Sequence, residues 1–553
     1  MEIVFTVLIL LVAVSASGIL VRLLPFPLPL PLVQIAAGAL LALPLFKLHF
    51  SFDPELFLLL FIPPLLFADG WRTPKREFFL HRRAILLLAL GLVLFTVAGV
   101  GYFVHWMVPA LPLPMAFALA AVLSPTDAVA LGAIAGPRRI PRQLMHILEG
   151  EALMNDASGL VALKFAIAAA LTGSFSMWSA TGSFLLIALG GLATGIAMAW
   201  MFAMGSRRFA ALAGQDSSSQ VLLVFLLPFA AYLFAEHFGL SGILSAVAAG
   251  MTMNYVDLLS PGSLTTRLQT VSAWETLQYV FNGMVFIILG LQLPHIIGRT
   301  LIDARANDGA SQAWLLVGYA AAVLAALHAL RFLWIYLLRW SAARILKRDA
   351  VRATPGRLTT AILTISGVRG SITLAGVLSI PLALDNGTPL PGRDIAVFIA
   401  AAVILGSLLL STALLPLLLR GIPRVNEEYG GSEMRRARAQ AALAAIAGIE
   451  RKRDALGETL DEQQAARLTE LSAHLMGTYR RRADLLQSAA PARQGASEEE
   501  RVLHALRIAG LRAARDAVYT MRGEDEINDE TVQQLLRELD LSEAAARERF
   551  REG

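Results

Sequence analysis

Six polar residues sit inside stretches that are otherwise apolar: Asp127, Glu149, Glu151, Asn155, Asp156 and Arg369. An ionised side chain near the middle of a bilayer costs about 2.5–3.5 kcal/mol even on insertion scales, so such residues face a cavity or a partner and are functional by default. On a helix, Glu149 and Asp156 share one face because they are seven apart, while Glu151 and Asn155, four apart, share a neighbouring one. Pro125 removes a backbone donor and frees the carbonyl four residues earlier. The Thr126 hydroxyl and loosened backbone oxygens can then join the carboxylates of Asp127 and Asp156. An all-oxygen shell of this kind suits a hard cation, and with no cysteine in the chain and no histidine nearby it suits zinc or copper badly. A carboxylate in a nearly dry cavity is neutralised by a proton or by a bound cation, but not readily by both. That competition, combined with exposure of the site to each side in turn, is sufficient for exchange.

The same residues have blander readings. Asp156 could be a hydrogen-bonded structural carboxylate, and Asp127, following Thr126 at a helix break, could simply cap backbone donors. Glu149 reads as a loop-end residue near water, Lys164 as a snorkelling side chain, and Glu275, beside Trp274, as an interfacial anchor. His105, His146, His237 and His328 are scattered and read as packing or interface residues. Two buried aspartates also admit an enzyme, an intramembrane aspartyl protease with Asp127 and Asp156 as its dyad; the Gly-x-Gly-Asp context of that class is absent. No His-Glu-x-x-His occurs, which sets aside a zinc protease. A channel is disfavoured because no short repeated filter sequence is present.

The elements that hold these residues must be membrane helices. Of the 553 residues, 56% are hydrophobic and 16% charged, and the mean hydropathy is +0.61, far from a soluble domain. Residues 421–553 hold 45 of the 89 Asp, Glu, Lys and Arg residues, so the chain divides into an apolar body, 1–420, and a polar tail, 421–553. The net charge of +5 does not indicate nucleic acid, because the basic residues lie in short loops between apolar runs. The absence of cysteine excludes disulfides and thiolate chemistry. The first apolar run precedes small residues as in a signal peptide, but Glu2 replaces the basic start, so it is read as a first span.

Apolar stretches long enough to cross about 30 Å of hydrocarbon fall near 3–23, 26–46, 54–69, 83–108, 112–134, 143–172, 181–204, 219–238, 240–256, 274–298, 313–337, 358–384 and 394–419, which makes thirteen. Basic residues concentrate after odd-numbered spans: Arg72, Lys75, Arg76, Arg82 and Arg83; Arg138, Arg139 and Arg142; Arg207 and Arg208; Arg339, Arg344, Lys347, Arg348, Arg352 and Arg357. Because cytoplasmic loops are enriched in Lys and Arg, this places the N-terminus outside and the tail inside. The odd count permits two inverted six-span repeats around a linking span, with the fifth and twelfth spans in corresponding positions. One carries Ser124, Pro125, Thr126 and Asp127, and the other Gly367, Val368, Arg369, Gly370 and Ser371, so both are expected to be broken. The tail patterns predict helices over 432–488, 498–522 and from about Asp529, with a linker over 489–496.

Four segments, Phe61 to Gly70 (FIPPLLFADG), Ser124 to Leu131 (SPTDAVAL), Glu149 to Gly159 (EGEALMNDASG) and Gly367 to Ala375 (GVRGSITLA), resemble the monovalent cation:proton antiporters of the bacterial sodium/proton type, which are related to the eukaryotic sodium/hydrogen exchangers. The resemblance covers residues 1 to about 420. It implies an all-α polytopic fold of about thirteen helices, two inverted six-helix repeats with two interrupted crossing helices, a helical cytoplasmic tail, a homodimer in the plasma membrane (the inner membrane if bacterial) and no cofactor. It further implies Asp156 as the ion- and proton-binding aspartate with Asn155 beside it, Thr126 and Asp127 at the crossing, and transported sodium held by Asp156, Asp127 and Thr126. Glu151 and Arg369 would be the buried pair that balances charge and holds the broken regions together. The Asn-Asp pair implies electroneutral exchange, one ion per proton, with sodium expected and lithium or potassium as alternatives. The chain departs from the pattern at Ala152, where relatives place a serine, and at Ala68, where they place an acid; Asp69 is one residue later, about 100° around the helix, and is not counted as a ligand.

Overall fold

The computed structural model describes residues 2–25, 28–43, 54–135, 140–172, 177–213, 216–259, 264–308, 310–345, 356–381, 383, 388, 390–421, 428–458, 462–487, 498–524 and 529–551. Arg138, Arg139, Lys347, Arg348 and Arg352, used above for orientation, and the 489–496 linker lie outside the described residues. Two compact units are present, Met1–Arg424 and Val425–Gly553, and the described residues of both form helices and no β-strand.

In lipid each backbone N–H and C=O must find its partner within its own segment, so apolar runs become helices. The first unit contains α1 (Glu2–Leu23), α2 (Leu30–Leu41), α3 (Pro54–Arg72), α4 (Lys75–Leu80), α5 (Arg82–Leu86), α6 (Leu92–Met107), α7 (Leu113–Leu123), α8 (Ala128–Ala135), α9 (Arg142–Thr172), α10 (Met177–Ala213), α11 (Ser217–His237), α12 (Gly242–Leu259), α13 (Leu264–Asp308), α14 (Ala310–Ile345), α15 (Arg357–Ile365), α16 (Ser371–Leu378) and α17 (Arg393–Arg420). Among the described residues eight helices are long and apolar enough to span a membrane, or nine if the bent pair α7–α8 is one span; two more apolar helices, Leu30–Leu41 and Gly242–Val256, are shorter. The second unit contains α18 (Glu428–Gly457), α19 (Glu462–Gln487), α20 (Glu498–Gly523) and α21 (Asp529–Arg551). The single helix expected over 432–488 is therefore two, the first ending at Gly457 and the second starting at Glu462. Arg515 of α20 joins that helix to α21 through Asp540 at 2.6 Å and Glu543 at 2.7 Å.

The breaks follow from backbone chemistry. Pro125 cannot donate to the preceding turn, and the chain runs without helix from Ser124 to Asp127 before α8 starts at a 47° bend. Between α15 and α16 the Gly367–Gly370 stretch is likewise not helical, with Gly370 extended at φ −131°. The two breaks touch: the Asp127 N–H donates to the Val368 carbonyl at 2.8 Å. A further irregularity, a π-helical turn over Leu87–Gly91, lies between α5 and α6.

Around this crossing, small residues let helices approach backbone to backbone. Gly38 of α2 faces the Ile287 and Leu291 backbone of α13, and Gly290 of α13 faces the Ile35 carbonyl and the Ala39 amide of α2. A Cβ at Gly290 would lie 2.8 Å from Ala39 N. Gly290→Ala is therefore expected to destabilise the fold by about 1–3 kcal/mol, as overpacking does. Thermal unfolding in detergent measures this, and an unchanged midpoint would show that the helices can separate without loss.

Candidate functional site

The site is built where α9 passes the two breaks. Asn155 reaches the first break from α9: its Nδ2 donates to Thr126 Oγ1 at 2.9 Å, and its Oδ1 accepts from the Thr126 amide at 3.4 Å. Thr126 Oγ1 in turn lies 3.5 Å from Glu151 Oε1, as donor. The break thus has its unpaired amide satisfied by a side chain on the neighbouring helix. Gly159, a turn further along α9, allows Pro125 to pack directly against the helix.

Asp127 performs the capping role that its position also allowed. Its Oδ1 accepts from the amides of Val129 at 2.8 Å and Ala130 at 2.9 Å, which satisfies the first donors of α8. Gly370 sits against the same carboxyl group, and no side chain would fit there.

Glu151 is buried as expected, but its partner corrects the expected pairing. The ion pair is with Arg331 of α14, which is 3% exposed against 0% for Glu151: Arg331 Nη2 donates to Oε2 at 2.9 Å and Nη1 to Oε1. Arg331 Nε also donates to the Leu363 carbonyl at 2.7 Å, tying the last turn of α15 to the pair. The Arg369 guanidinium instead turns back onto its own loop, Nη1 donating to the Gly367 carbonyl at 2.8 Å, while its amide donates to Ser407 Oγ of α17 at 3.0 Å. Arg331 reaches the carboxylate first because α14 runs alongside the break, and a bidentate guanidinium fills both carboxylate oxygens. Arg369 is thus buried, its guanidinium bracing its own loop and its amide holding the second break to α17.

Asp156 is buried at 7% exposure, and its carboxyl group makes no hydrogen bond or ion pair among the described residues. It lines a cavity of about 300 Å³ with Asp69, Thr126, Asp127, Asn282, Gly370 and Thr373, among others. Arg72 and Glu149 also line it, with side chains 47% and 38% exposed, and they mark its open end. Asp69, which was not counted as a ligand, faces this cavity and accepts from Gln278 Nε2 of α13 at 3.1 Å. Among the described residues no group of three or more His, Cys, Asp or Glu is clustered closely enough to hold a metal ion.

The remaining candidates fall outside this cluster or at its edge. Glu149 lies 3.6 Å from His146 Nδ1. Lys164 pairs with Glu236 of α11 at 2.7 Å, and Glu236 also accepts from the Gly242 amide at 3.1 Å. Glu275, 64% exposed, approaches Arg72 at 4.0 Å. Sequence reasoning missed Arg331, although a charged residue well inside the 313–337 apolar stretch was a usable signal. It also missed Gln278 and Asn282, for which α13 offered no comparable signal.

A multi-pass helical membrane protein whose two broken helices meet over a carboxylate-lined cavity is, as a class, a membrane transporter. The chain belongs to the transmembrane sodium/hydrogen exchanger family, whose model matches residues 7–421. It is 48% identical to the uncharacterized Na(+)/H(+) exchanger YjcE of Escherichia coli K12, over 98% of this chain and 99% of that one. It is 44% identical to the sodium, potassium, lithium and rubidium/H(+) antiporter of Bacillus subtilis, over 76% of this chain and 62% of that protein. The fold is similar to the sodium proton antiporter MjNhaP1 of Methanocaldococcus jannaschii, with a TM-score of 0.56 and 16% identity over 76% of this chain and 99% of that one. The family is one of exchangers and not of enzymes, so the protease alternative falls.

Proposed function

We propose that this chain is a secondary active antiporter that exchanges sodium for protons, one for one, with the two competing at Asp156 and the site opening to each side in turn. The observation that carries the reading is the Asp156 carboxyl group: buried, facing a cavity, and unpartnered beside two broken helices. An uncompensated charge is costly there, so a cation or a proton must neutralise it, and one carboxylate cannot readily hold both. Thr126 and Asp127, which line the same cavity, supply further oxygens for a shell suited to an alkali cation. Asn155 holds Thr126 in place. Glu151 and Arg331 cancel each other's charge, so neither competes for the cation. Exchange of sodium for protons matches the names borne by the family and by its relatives in Escherichia coli and Methanocaldococcus jannaschii.

The same reading assigns residues 1–420 to a thirteen-span antiporter domain with two inverted repeats, a homodimer in the plasma membrane with its N-terminus outside. Residues 421–553 form its cytoplasmic helical tail. The basic residues after odd-numbered apolar stretches support that orientation. Potassium is the second cation to consider, because the Bacillus subtilis relative is named for sodium, potassium, lithium and rubidium.

Purified protein in liposomes with an imposed pH gradient tests the reading. Sodium or lithium is expected to dissipate the gradient, potassium serving as the comparison, and collapsing the membrane voltage is expected to leave the steady state unchanged. No response to any alkali cation would end the antiporter reading. A steady state that follows voltage would end the one-for-one stoichiometry.

A further inference from the structure

The π-helical turn at Leu87–Gly91 has no role in the site as described, yet two of its carbonyls accept from side-chain donors on neighbouring helices. Ser158 Oγ of α9 donates to the Ala89 carbonyl at 2.8 Å, and Trp334 Nε1 of α14 donates to the Leu87 carbonyl at 3.1 Å. Ser158 also lies 3.1 Å from the Met154 and Asn155 carbonyls of its own helix, the usual back-bonds of a helical serine. A hydroxyl has one hydrogen, and the shortest of the three contacts is the one that leaves the helix. A π turn inserts one residue into a helix, the Leu87 carbonyl here accepting from the Leu92 amide as well as from Trp334, and such turns recur at functional sites.

Ser158 stands two residues beyond Asp156, about 200° around α9. When the serine faces the π turn, the aspartate faces the opposite way, into the cavity. The Asp156 carboxyl group has no hydrogen bond or ion pair among the described residues to fix its position, so its depth and rotation follow from the anchors of α9: Asn155 on the first break, Glu151 on Arg331, and Ser158 on the π turn. Trp334 lies one turn beyond Arg331 on α14, so that helix grips both the Glu151 anchor and the turn that receives Ser158.

We infer that Ser158 and the π turn at Leu87–Gly91 form a rear seat for α9 that positions the Asp156 carboxyl group for cation binding, making Ser158 and Trp334 positioning residues for exchange. The inference rests on the antiporter reading above. Removing the serine hydroxyl lets α9 settle by rotation or translation, which changes how closely the carboxylate meets its oxygen partners and leaves the groups that neutralise it intact. Affinity for the cation then suffers while the maximal rate does not.

Full-length Ser158→Ala in proteoliposomes, assayed for sodium-driven proton movement over a range of sodium concentrations, reads this out. The apparent KM for sodium is expected to rise by about fivefold, the scale of one net hydrogen bond, with the maximal rate per folded protein retained. Trp334→Phe, which keeps an aromatic side chain but removes the donor, is expected to shift KM in the same direction. It carries the test if Ser158→Ala does not accumulate. An unchanged KM in both variants, or a maximal rate that falls with folded protein at constant KM, would overturn the inference while leaving the antiporter reading intact. Inactive wild-type protein would instead remove the reading on which it rests.

Discussion

Asp156→Asn is expected to reduce exchange to the level of protein-free liposomes while leaving the protein folded. Asparagine has the shape of the aspartate but neither its charge nor its titratable proton, so it can hold neither of the competing ions. Because the wild-type carboxyl group is buried at 7% exposure and has no hydrogen-bond or ion-pair partner among the described residues, its replacement breaks no polar contact, and a group that must be neutralised by an ion or a proton leaves the interior. Thermal unfolding of the variant should therefore match or exceed that of the wild type. Residual exchange above background would show that another carboxylate carries the ions, and Asp69 on the same cavity wall would be the first to test. The same substitution at Asp127 separates charge from structure, since asparagine can still accept from the Val129 and Ala130 amides.

The second large effect is on stability. Glu151→Ala is expected to destabilise the protein by about 3–5 kcal/mol, because it leaves Arg331 buried and unpaired. Combining it with Arg331→Met should recover part of that loss, since no charge is then left buried without its partner, while the space vacated by the glutamate side chain remains. Folded protein recovered from the membrane and its unfolding midpoint in detergent measure both variants. If Glu151→Ala alone proved neutral, the ion pair would not be a fixture of the folded state. If the double variant were no better than the single one, the loss would stem from the Thr126 and Leu363 contacts that the pair also makes.

Much of this was readable from residue order. Apolar length located the membrane helices because a backbone in lipid has no alternative to pairing with itself. Pro125 and the Gly367–Gly370 glycines announced the breaks because each removes a local helical option. Asn155 and Asp156 stood out as polar residues inside an apolar stretch. What escaped was identity across helices. Glu151 was expected to meet Arg369, and only the placement of α14 beside the break gives it Arg331. A one-residue shift places Asp69 off the expected ligand position, yet the course of α3 turns it into the cavity. The π turn has no composition of its own, since Leu87–Gly91 is as apolar as any helical run. Two of its carbonyls accept from donors that arrive from α9 and α14.

The hydrogen bond between the Asp127 amide and the Val368 carbonyl also has a mechanical side. It staples the two breaks where neither has a helical partner, and pulling them apart would strand a donor and an acceptor in surroundings poor in water, at a cost of several kcal/mol. The crossing is therefore the stiff part of the machine. If the site opens to each side in turn, as proposed, the two breaks are expected to move together, with any sliding surface lying around them.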